Sequence, residues 1–255
     1  MKEIIKKLRL ITQKRAFHNC IMITTVSVVL FIVGVVMLRY MVEGEKNMPF
    51  NLNKIIVISS SDGIDKDNQG NSKWAFDINQ NNDFYFYIEK NENFEKQETI
   101  KSILIDNIEI ERIKEKGEIK YYRPNTLEAG ANFANKPENE VEAIEYQGAL
   151  ETNLKTLEIS NQGGIIAFRC ANNGIAEYIS DEEEIKHTEL LKKSGLSEEE
   201  LKQKISFDFT IKIESGKEYK AKISIDIPVN GLLEKGTSSI EITNLTDVVF
   251  KRTKN

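Results

Sequence analysis

Hydrophobic residues are distributed along this chain in two different ways. Residues 20–38, CIMITTVSVVLFIVGVVML, form an apolar run without a charged side chain. After residue 53, apolar and polar residues alternate in short stretches that are separated by Gly, Asn and Asp. A long apolar run predicts a membrane-spanning helix, whereas a period of two predicts strands with one buried face. The chain is therefore predicted to combine one membrane helix with a mainly β body.

The apolar run has the length that a bilayer requires. Its 19 residues, from Cys20 to Leu38, rise about 28 Å in a helix, close to the hydrocarbon thickness. We place the transmembrane helix at 20–41, with Tyr40 at the interface. Two alternatives are a buried helix of a soluble protein and a cleaved signal peptide. An uncleaved signal anchor is favoured, because signal peptides have shorter apolar regions and only Val42-Glu43-Gly44 loosely resembles a cleavage site.

The alternating stretches predict an antiparallel β-sandwich, Ig-like or jelly-roll-like, at 54–255 after a polar spacer at 42–53. The segment 124–163 has the weakest pattern and is interpreted as a long loop or a junction between two subdomains. The predicted strands lie at 54–60, 74–78, 84–88, 99–105, 108–113, 118–122, 154–159, 165–170, 205–213, 219–227, 240–243 and 248–251.

The first predicted hairpin carries a candidate binding face. The strands at 74–78 and 84–88 place Trp or Phe and Ile at alternate positions, and the turn residues 79–83 separate them. Tyr85 and Tyr87 then lie on the opposite face. They form a binding platform for sugar or protein if that face meets solvent. The alternative is a central strand that is covered on both faces.

A short helical insertion is predicted near 181–203. Ser180 with Glu183 and Ser197 with Glu200 have the spacing of capping boxes, and Gly195 suits a helix end. These helices either cover one end of a sheet or present Leu190 and Leu191 to a partner.

Charge sets the predicted orientation. Residues 1–19 carry a net +5, and because the whole chain carries −5, residues 39–255 carry −10. The positive-inside rule places the basic head (1–19) in the cytoplasm and the acidic body outside the cell membrane. An acidic body disfavours nucleic acid as a partner, whereas the basic head suits anionic lipid of the bilayer.

No pattern in the sequence identifies a catalytic site. A zinc site normally needs several His or Cys, and the body contains only Cys170 and His187. Cys170 continues the face of Ile166 and Phe168 and is therefore interpreted as a buried, inert thiol. No nucleotide-binding or serine-hydrolase motif is present, and we predict no catalytic residue and no cofactor.

A weak cation site is considered in the turn-rich segment 60–72. Asp65, Asp67 and Gly70 fall where a calcium loop would begin, with Asp62 nearby. An EF-hand is refuted, because its bidentate Glu position is occupied by Phe76. A looser loop using Asp62, Asp65 and Asp67 is the remaining possibility, against an ordinary solvated turn.

The overall plan resembles a group of single-pass, membrane-anchored proteins with β-rich ectodomains from low-GC Gram-positive bacteria. MVEGEKNMPFNLNKIIVISS, KWAFDINQNNDFYFYI and FDFTIKIESGKEYKAKISIDIP carry this resemblance, which implies no activity and no site residues.

The function expected from these features is non-enzymatic binding of an envelope protein or cell-wall glycan. One alternative is a glycan hydrolase or transferase that uses carboxylates. The other is a ligand or cation sensor, which would need a cytoplasmic partner.

Overall fold

A computed structural model describes residues 1–46, 48–66, 74–125, 133–151, 156–181 and 184–254. Its regular elements are α1 (Lys2–Lys46), β1 (Phe50–Asp65), β2 (Trp74–Lys90), β3 (Ile100–Arg112), β4 (Glu118–Tyr122), β5 (Ile144–Gly148), β6 (Leu157–Ile159), β7 (Gly163–Ser180), α2 (Leu190–Lys193), α3 (Glu198–Leu201), β8 (Gln203–Ile213), β9 (Glu218–Asp226), α4 (Leu232–Lys235), β10 (Thr237–Ile242) and β11 (Lys251–Lys254).

The helix α1 contains a stretch that is long and apolar enough to cross a membrane. This stretch runs over His18–Leu38, has a mean hydropathy of 2.8, and none of it is buried against the rest of the chain. Cys20 and Leu38, the expected limits of the apolar run, are both exposed. The side chain of Tyr40, expected at the interface, lies outside the described part of the chain.

The mainly β prediction for the body is confirmed. Sheet 1 has the strand order β10-β1-β2-β7-β4 and is antiparallel throughout. Sheet 2 has the order β11-β9-β8-β3-β5-β6 and is antiparallel except for the parallel pair β5–β6. The more specific expectation of an Ig-like or jelly-roll topology stays a prediction.

The two sheets pack face to face over one apolar core. Phe86 of sheet 1 lies with its ring centroid 5.6 Å from that of Phe207 and 5.3 Å from that of Phe209, both in sheet 2. Phe168 stacks beside Phe86 and meets Phe207 edge-on at 5.8 Å. Such aromatic pairs add about 0.5–1.5 kcal/mol each to the burial of their area. This cluster, with Ile and Val from both sheets, forms the main core.

The prediction of a hairpin at 74–88 is wrong. Residues 74–90 form the single strand β2, which pairs with β1 from Phe76 to Lys90. The expected turn residues Asn79 to Asn82 lie inside the strand and are buried. The period of two continues through them, because Ile78, Gln80, Asn82 and Phe84 all have even numbers and share one face.

Two other expected turns also lie within strands. β1 continues to Asp65 through residues 61–65, which the sequence suggested to be a turn. β3 joins the two strands expected at 99–105 and 108–113. Asn107 has a φ of 51° there, and the register shifts between Asp106 and Glu109. This is a β-bulge, in which an extra residue bends the strand without ending it.

The other predicted strand boundaries agree with the structure in part. The second hairpin is confirmed, with β8 and β9 in register from Lys204–Asp226 to Lys212–Glu218. The closing strands are shifted: β10 begins earlier than expected, and β11 begins only at Lys251. β5 and α4 were not predicted. The described part of 124–163 contributes β5 and β6 to sheet 2 and buries Ile144, Tyr146, Leu157 and Ile159 in the main core.

The helical insertion covers one end of sheet 1. Its regular part is shorter than expected, because α2 begins only at Leu190 after a 3₁₀ turn at His187–Glu189. Leu190 and Leu191 are fully buried in a second apolar cluster with Phe76, Ile78 and Leu232. The Ser197–Glu200 capping box is present, whereas Glu183 lies outside the described residues.

Candidate functional site: the outer face of sheet 1

The solvent side of sheet 1 carries a group of apolar and aromatic side chains. In the strand register, Ile56 lies opposite Tyr85, and Tyr87 lies opposite Ile165 on its other side. These four residues, together with Ile58, are only partly buried, and Ile165 is 52% exposed. We call them the aromatic face: Ile56, Ile58, Tyr85, Tyr87 and Ile165.

Tyr87 lies at the open end of the aromatic face. The ammonium nitrogen of Lys54 lies 4.4 Å from the centroid of the Tyr87 ring, within the range of a cation–π contact. A groove of about 240 Å³ runs beside the ring, lined by Tyr87–Lys90 and Gln162–Ile165. Gly163 borders this groove with a φ of 109°, and a Cβ there would lie 2.4 Å from the carbonyl oxygen of Ile88. The close approach of β7 to the β2 backbone beside the groove therefore requires a glycine at this position.

Tyr85 lies at the closed end of the aromatic face. The ring of Phe133 meets it edge-on at 6.5 Å, and the Arg169 guanidinium lies 4.9 Å from the Phe133 centroid. Partial burial, followed by the Asp83 charge, raises the pKa of the Tyr85 hydroxyl. Tyr85 is therefore neutral at physiological pH, with a hydroxyl that can donate a hydrogen bond.

A polar network fixes the closed end. Arg169 Nε and Nη2 donate to the two Asp83 carboxylate oxygens at 2.6 and 2.9 Å, which is bidentate pairing. Arg169 Nη1 also donates to Asn135 Oδ1, and Asn135 Nδ2 donates to Asn81 Oδ1. Residues 133–135 are thereby held across the outer side of sheet 1. Part of β2 is thus covered on both faces, whereas Tyr87 stays at the open end.

The outer face of sheet 2 has the opposite character. Ser206 and Ser224 lie opposite each other there, with their hydroxyl oxygens 2.9 Å apart. Lys220 Nζ lies 2.9 Å from Asp208 Oδ2. Burial opposes ionisation of Asp208, but hydrogen bonds from Asn107 and Lys220 prevail and lower its pKa. A charged, hydrogen-bonded face is an ordinary solvated surface, so the aromatic character of the sheet 1 face is specific to that sheet.

The three candidate cation ligands are not brought together in the described residues. Asp62 and Asp65 both lie in the regular part of β1, opposite Asn79 and Phe76. Positions three apart in a strand point to opposite faces, so these two carboxylates cannot share one ion. Asp67 lies outside the described residues. Within those residues, no group of three or more His, Cys, Asp or Glu is arranged to hold a metal ion.

Cys170 and His187 lie in different environments. Cys170 is fully buried in the main core with Ile166 and Phe168, and burial raises the pKa of its thiol to about 12. His187 is exposed, and its ring meets the edge of Phe76 at 5.7 Å in the region of the second apolar cluster. A thiol with this pKa is neutral at physiological pH and is a poor nucleophile.

Part of the aromatic face was missed at the level of sequence. Tyr85 and Tyr87 were identified by alternation, but Ile56, Ile58 and Ile165 were not. A signal for two of them is present, because residues 55–58 are apolar at every position and not only at alternate ones. Such a run indicates a strand with apolar side chains on both faces. The Asp83–Arg169 pair joins residues far apart in sequence and left no local signal.

Comparison with known proteins gives no relative for this chain. No protein-family model, no curated protein and no solved structure matches it.

Proposed function

We propose that this chain is a membrane-anchored, non-enzymatic binding protein whose body lies outside the cell membrane. In this proposal the aromatic face engages an envelope protein or a cell-wall glycan. The observation that carries it is the difference between the two outer faces. Sheet 2 presents Ser, Lys and Asp to solvent, whereas sheet 1 presents Tyr87 and Ile165 beside an open groove, with Tyr85 partly buried next to them. Exposed apolar patches of this kind mark interaction surfaces.

The side chains of the aromatic face suit recognition. Tyrosine offers a large apolar ring with few rotatable bonds, and its hydroxyl adds a hydrogen bond. The Asp83–Arg169 network holds Tyr85 in place before any ligand arrives, which reduces the entropy lost on binding. A sugar ring can stack on Tyr87, and a protein side chain such as Leu can occupy the groove beside Ile165.

The membrane helix supports this function by confining the body to the membrane surface. Confinement raises its effective concentration for other components of the envelope. The proposed orientation, with the N-terminus in the cytoplasm, follows from the +5 charge of residues 1–19. On this basis the proposed location is the cell membrane, with a single pass.

The enzyme and sensor alternatives have less support. A glycosidase acid needs a carboxyl group whose pKa is raised. The pKa of Glu200 is instead held far below its usual range by hydrogen bonds from Lys114, Lys116 and Ser197. The pKa of Asp208 is likewise lowered. Neither carboxyl group has the property that the hydrolase alternative requires, and no described group supports a cation sensor.

Site-specific photo-crosslinking in native membranes tests the proposal. A photoreactive amino acid would replace Ile165 on the aromatic face of the full-length chain, and Ser224 on the sheet 2 face as the matched control. We expect crosslinks to one envelope protein, or to glycan, from position 165 and not from position 224. Equal crosslinking from both positions, or glycan hydrolysis by the purified protein, would overturn the proposal.

A substitution on the same face gives a second readout. Replacing Tyr87 with Ser removes the ring but keeps a hydroxyl, and we expect capture of the crosslinked partner to fall about tenfold, as for an interface anchor worth 1–2 kcal/mol. Lys222→Ser, on the sheet 2 face, should leave capture unchanged.

A further inference from the structure

The body begins directly after the membrane helix. α1 ends at Lys46, and β1 begins at Phe50. Between them, Asn91 donates its backbone N–H to the Pro49 carbonyl at 2.9 Å and its side-chain Nδ2 to the Met48 carbonyl at 2.8 Å. Met48, Pro49 and Phe50 are buried. Residues 48–50 are therefore part of the folded body. Within the described residues, the polar spacer expected at 42–53 is divided between α1, which ends at Lys46, and the body, which begins at Met48.

This short junction places one end of the body close to the bilayer. The apolar stretch of α1 ends at Leu38, and the eight residues from there to Lys46 rise about 12 Å. The headgroup layer itself is about 5–7 Å thick on each side of the hydrocarbon. In addition, β11 lies beside α1. The side of the body that contains β11 is therefore held within reach of the lipid headgroups.

The segment that enters β11 has the composition of a membrane-surface contact. Residues 245–252, LTDVVFKR, place apolar side chains before two basic ones, with Asp247 as the single acid. Val249 is 38% exposed, and Lys251 is also exposed. A cavity of about 410 Å³ lies between this segment and the start of β1, and Met48, Phe50, Leu52, Leu245, Val249 and Phe250 are among its lining residues.

We infer that residues 245–252 form a second membrane contact, in which the body docks on the bilayer surface. Val249 enters the headgroup layer, and Lys251 and Arg252 meet lipid phosphates. Apolar insertion and attraction of basic side chains to anionic lipid together produce interfacial binding of this kind. The bilayer is the occupant because the short junction and the position of β11 beside α1 keep this side near the membrane. The inference rests on the anchoring part of the proposed function and adds a fixed position of the body above the membrane.

Spin-label accessibility in nanodiscs tests this inference on the full-length chain. Three variants, each with one added cysteine, are made in a Cys20→Ser background, and Cys170 is not labelled because it is buried. Val29→Cys reports the centre of the apolar run, Val249→Cys the docking segment, and Ile179→Cys the far end of β7, which is 62% exposed. The nanodiscs contain phosphatidylcholine and phosphatidylglycerol, and collisions with oxygen and with a water-soluble nickel chelate are measured.

The three labelled positions distinguish docking of residues 245–252 on the bilayer from anchoring by α1. We expect the Val249 label to collide with the nickel chelate about threefold less often than the Ile179 label, as interfacial insertion predicts. A Val249 label as accessible as the Ile179 label, with the Val29 label protected, overturns docking and leaves anchoring intact. A Val29 label that is open to the nickel chelate overturns anchoring itself.

Charge reversal tests the basic part of the contact. The double change Lys251→Glu with Arg252→Glu should raise the nickel accessibility of the Val249 label toward that of the Ile179 label. Lys222→Glu, on the sheet 2 face, is the control and should leave it unchanged. If the nickel accessibility of the Val249 label is unchanged in the double variant, the proposed role of the two basic side chains is overturned.

Discussion

At the scale of single residues, buried amides fix the register of sheet 1. Asn82 is fully buried in β2, where Ser59 Oγ donates to its Oδ1 at 2.8 Å. Its Nδ2 donates to the Cys170 carbonyl at 3.2 Å. Gln80 is a second buried amide on this strand, and Gln203 Nε2 donates to its Oε1 at 3.0 Å. A one-residue slip of β2 would leave the amides of Asn82 and Gln80 unpaired in the interior. These buried amides therefore select one pairing of the strands.

Replacing Asn82 with Ala should lower the free energy of unfolding by about 2–3 kcal/mol. The Ser59 hydroxyl and the Cys170 carbonyl would lose a partner while remaining buried, and each unpaired group costs about 1–3 kcal/mol. Chemical denaturation of the purified full-length protein measures the change. Asn51→Ala, at an exposed position, is the control and should stay within about 0.5 kcal/mol of wild type. Equal stability of the two variants would contradict a structural role for Asn82.

The Glu200 carboxylate makes the stability of the folded state depend on pH. Its carboxylate accepts hydrogen bonds from Lys114 and Lys116 at 2.8 and 2.9 Å and from the Ser197 backbone at 3.0 Å. Because these bonds lower its pKa in the folded state, its contribution is complete above the unfolded pKa of about 4.3 and declines as pH falls below it.

Glu200→Gln should therefore lower the Tm at pH 7, and the difference from wild type should shrink as pH falls from about 5 to 2. Thermal unfolding across this range measures the difference. Glu199→Gln is the control, since Glu199 pairs with Lys202 and its side chain is 66% exposed, against 12% for Glu200. A Tm difference for Glu200→Gln that stays constant with pH would refute this role of the carboxylate.

At the scale of elements, alternation predicted the strands better than turn residues predicted their ends. From Trp74 to Ile88, the large apolar side chains of one face all occupy even-numbered positions, and these residues correspondingly form the single strand β2. The amides at 79–82 suggested a turn because their partners, such as Ser59 and Gln203, come from other strands and are invisible locally. The capping box at Ser197 was predictable, because its two partners lie three residues apart.

Gly63 shows why local turn chemistry was misleading in β1. A Cβ at this position would lie 2.5 Å from the Leu190 side chain of α2. The glycine therefore lets α2 pack closely on the sheet, and Asp62-Gly63 lies within β1 and is not a turn. Pairing between strands also created the aromatic face, since Ile56 lies opposite Tyr85, 29 positions away, and Tyr87 lies opposite Ile165, 78 positions away. Its tyrosines were predictable from alternation, but its neighbours on β1 and β7 depend on the strand order.

The packing of α2 on sheet 1 can be tested by truncating one side chain. Leu190→Ala should lower the free energy of unfolding by about 2–5 kcal/mol, because it opens a cavity between α2, Gly63 and Phe76. Chemical denaturation measures the loss. Leu150→Ala, at a position that is 74% exposed, should have little effect. Similar values for the two variants would show that α2 does not pack as described.

At the scale of the whole molecule, three regions have separate roles in our account. The apolar stretch of α1 holds the chain in the membrane, the main core joins the two sheets into one body, and the aromatic face presents the binding surface. The short junction between α1 and β1 links the first two regions. Because Asn91 binds the carbonyls of Met48 and Pro49, the folded body begins within two residues of the end of α1.

The location of the body is the claim on which the proposed function depends, and cysteine labelling of intact cells tests it most directly. Ile179→Cys and Lys7→Cys are introduced separately into the full-length Cys20→Ser chain and treated with a membrane-impermeant maleimide. We predict that Cys at position 179 is labelled in intact cells, and that Cys at position 7 is labelled only after permeabilisation. Labelling of position 179 only after permeabilisation would contradict the account.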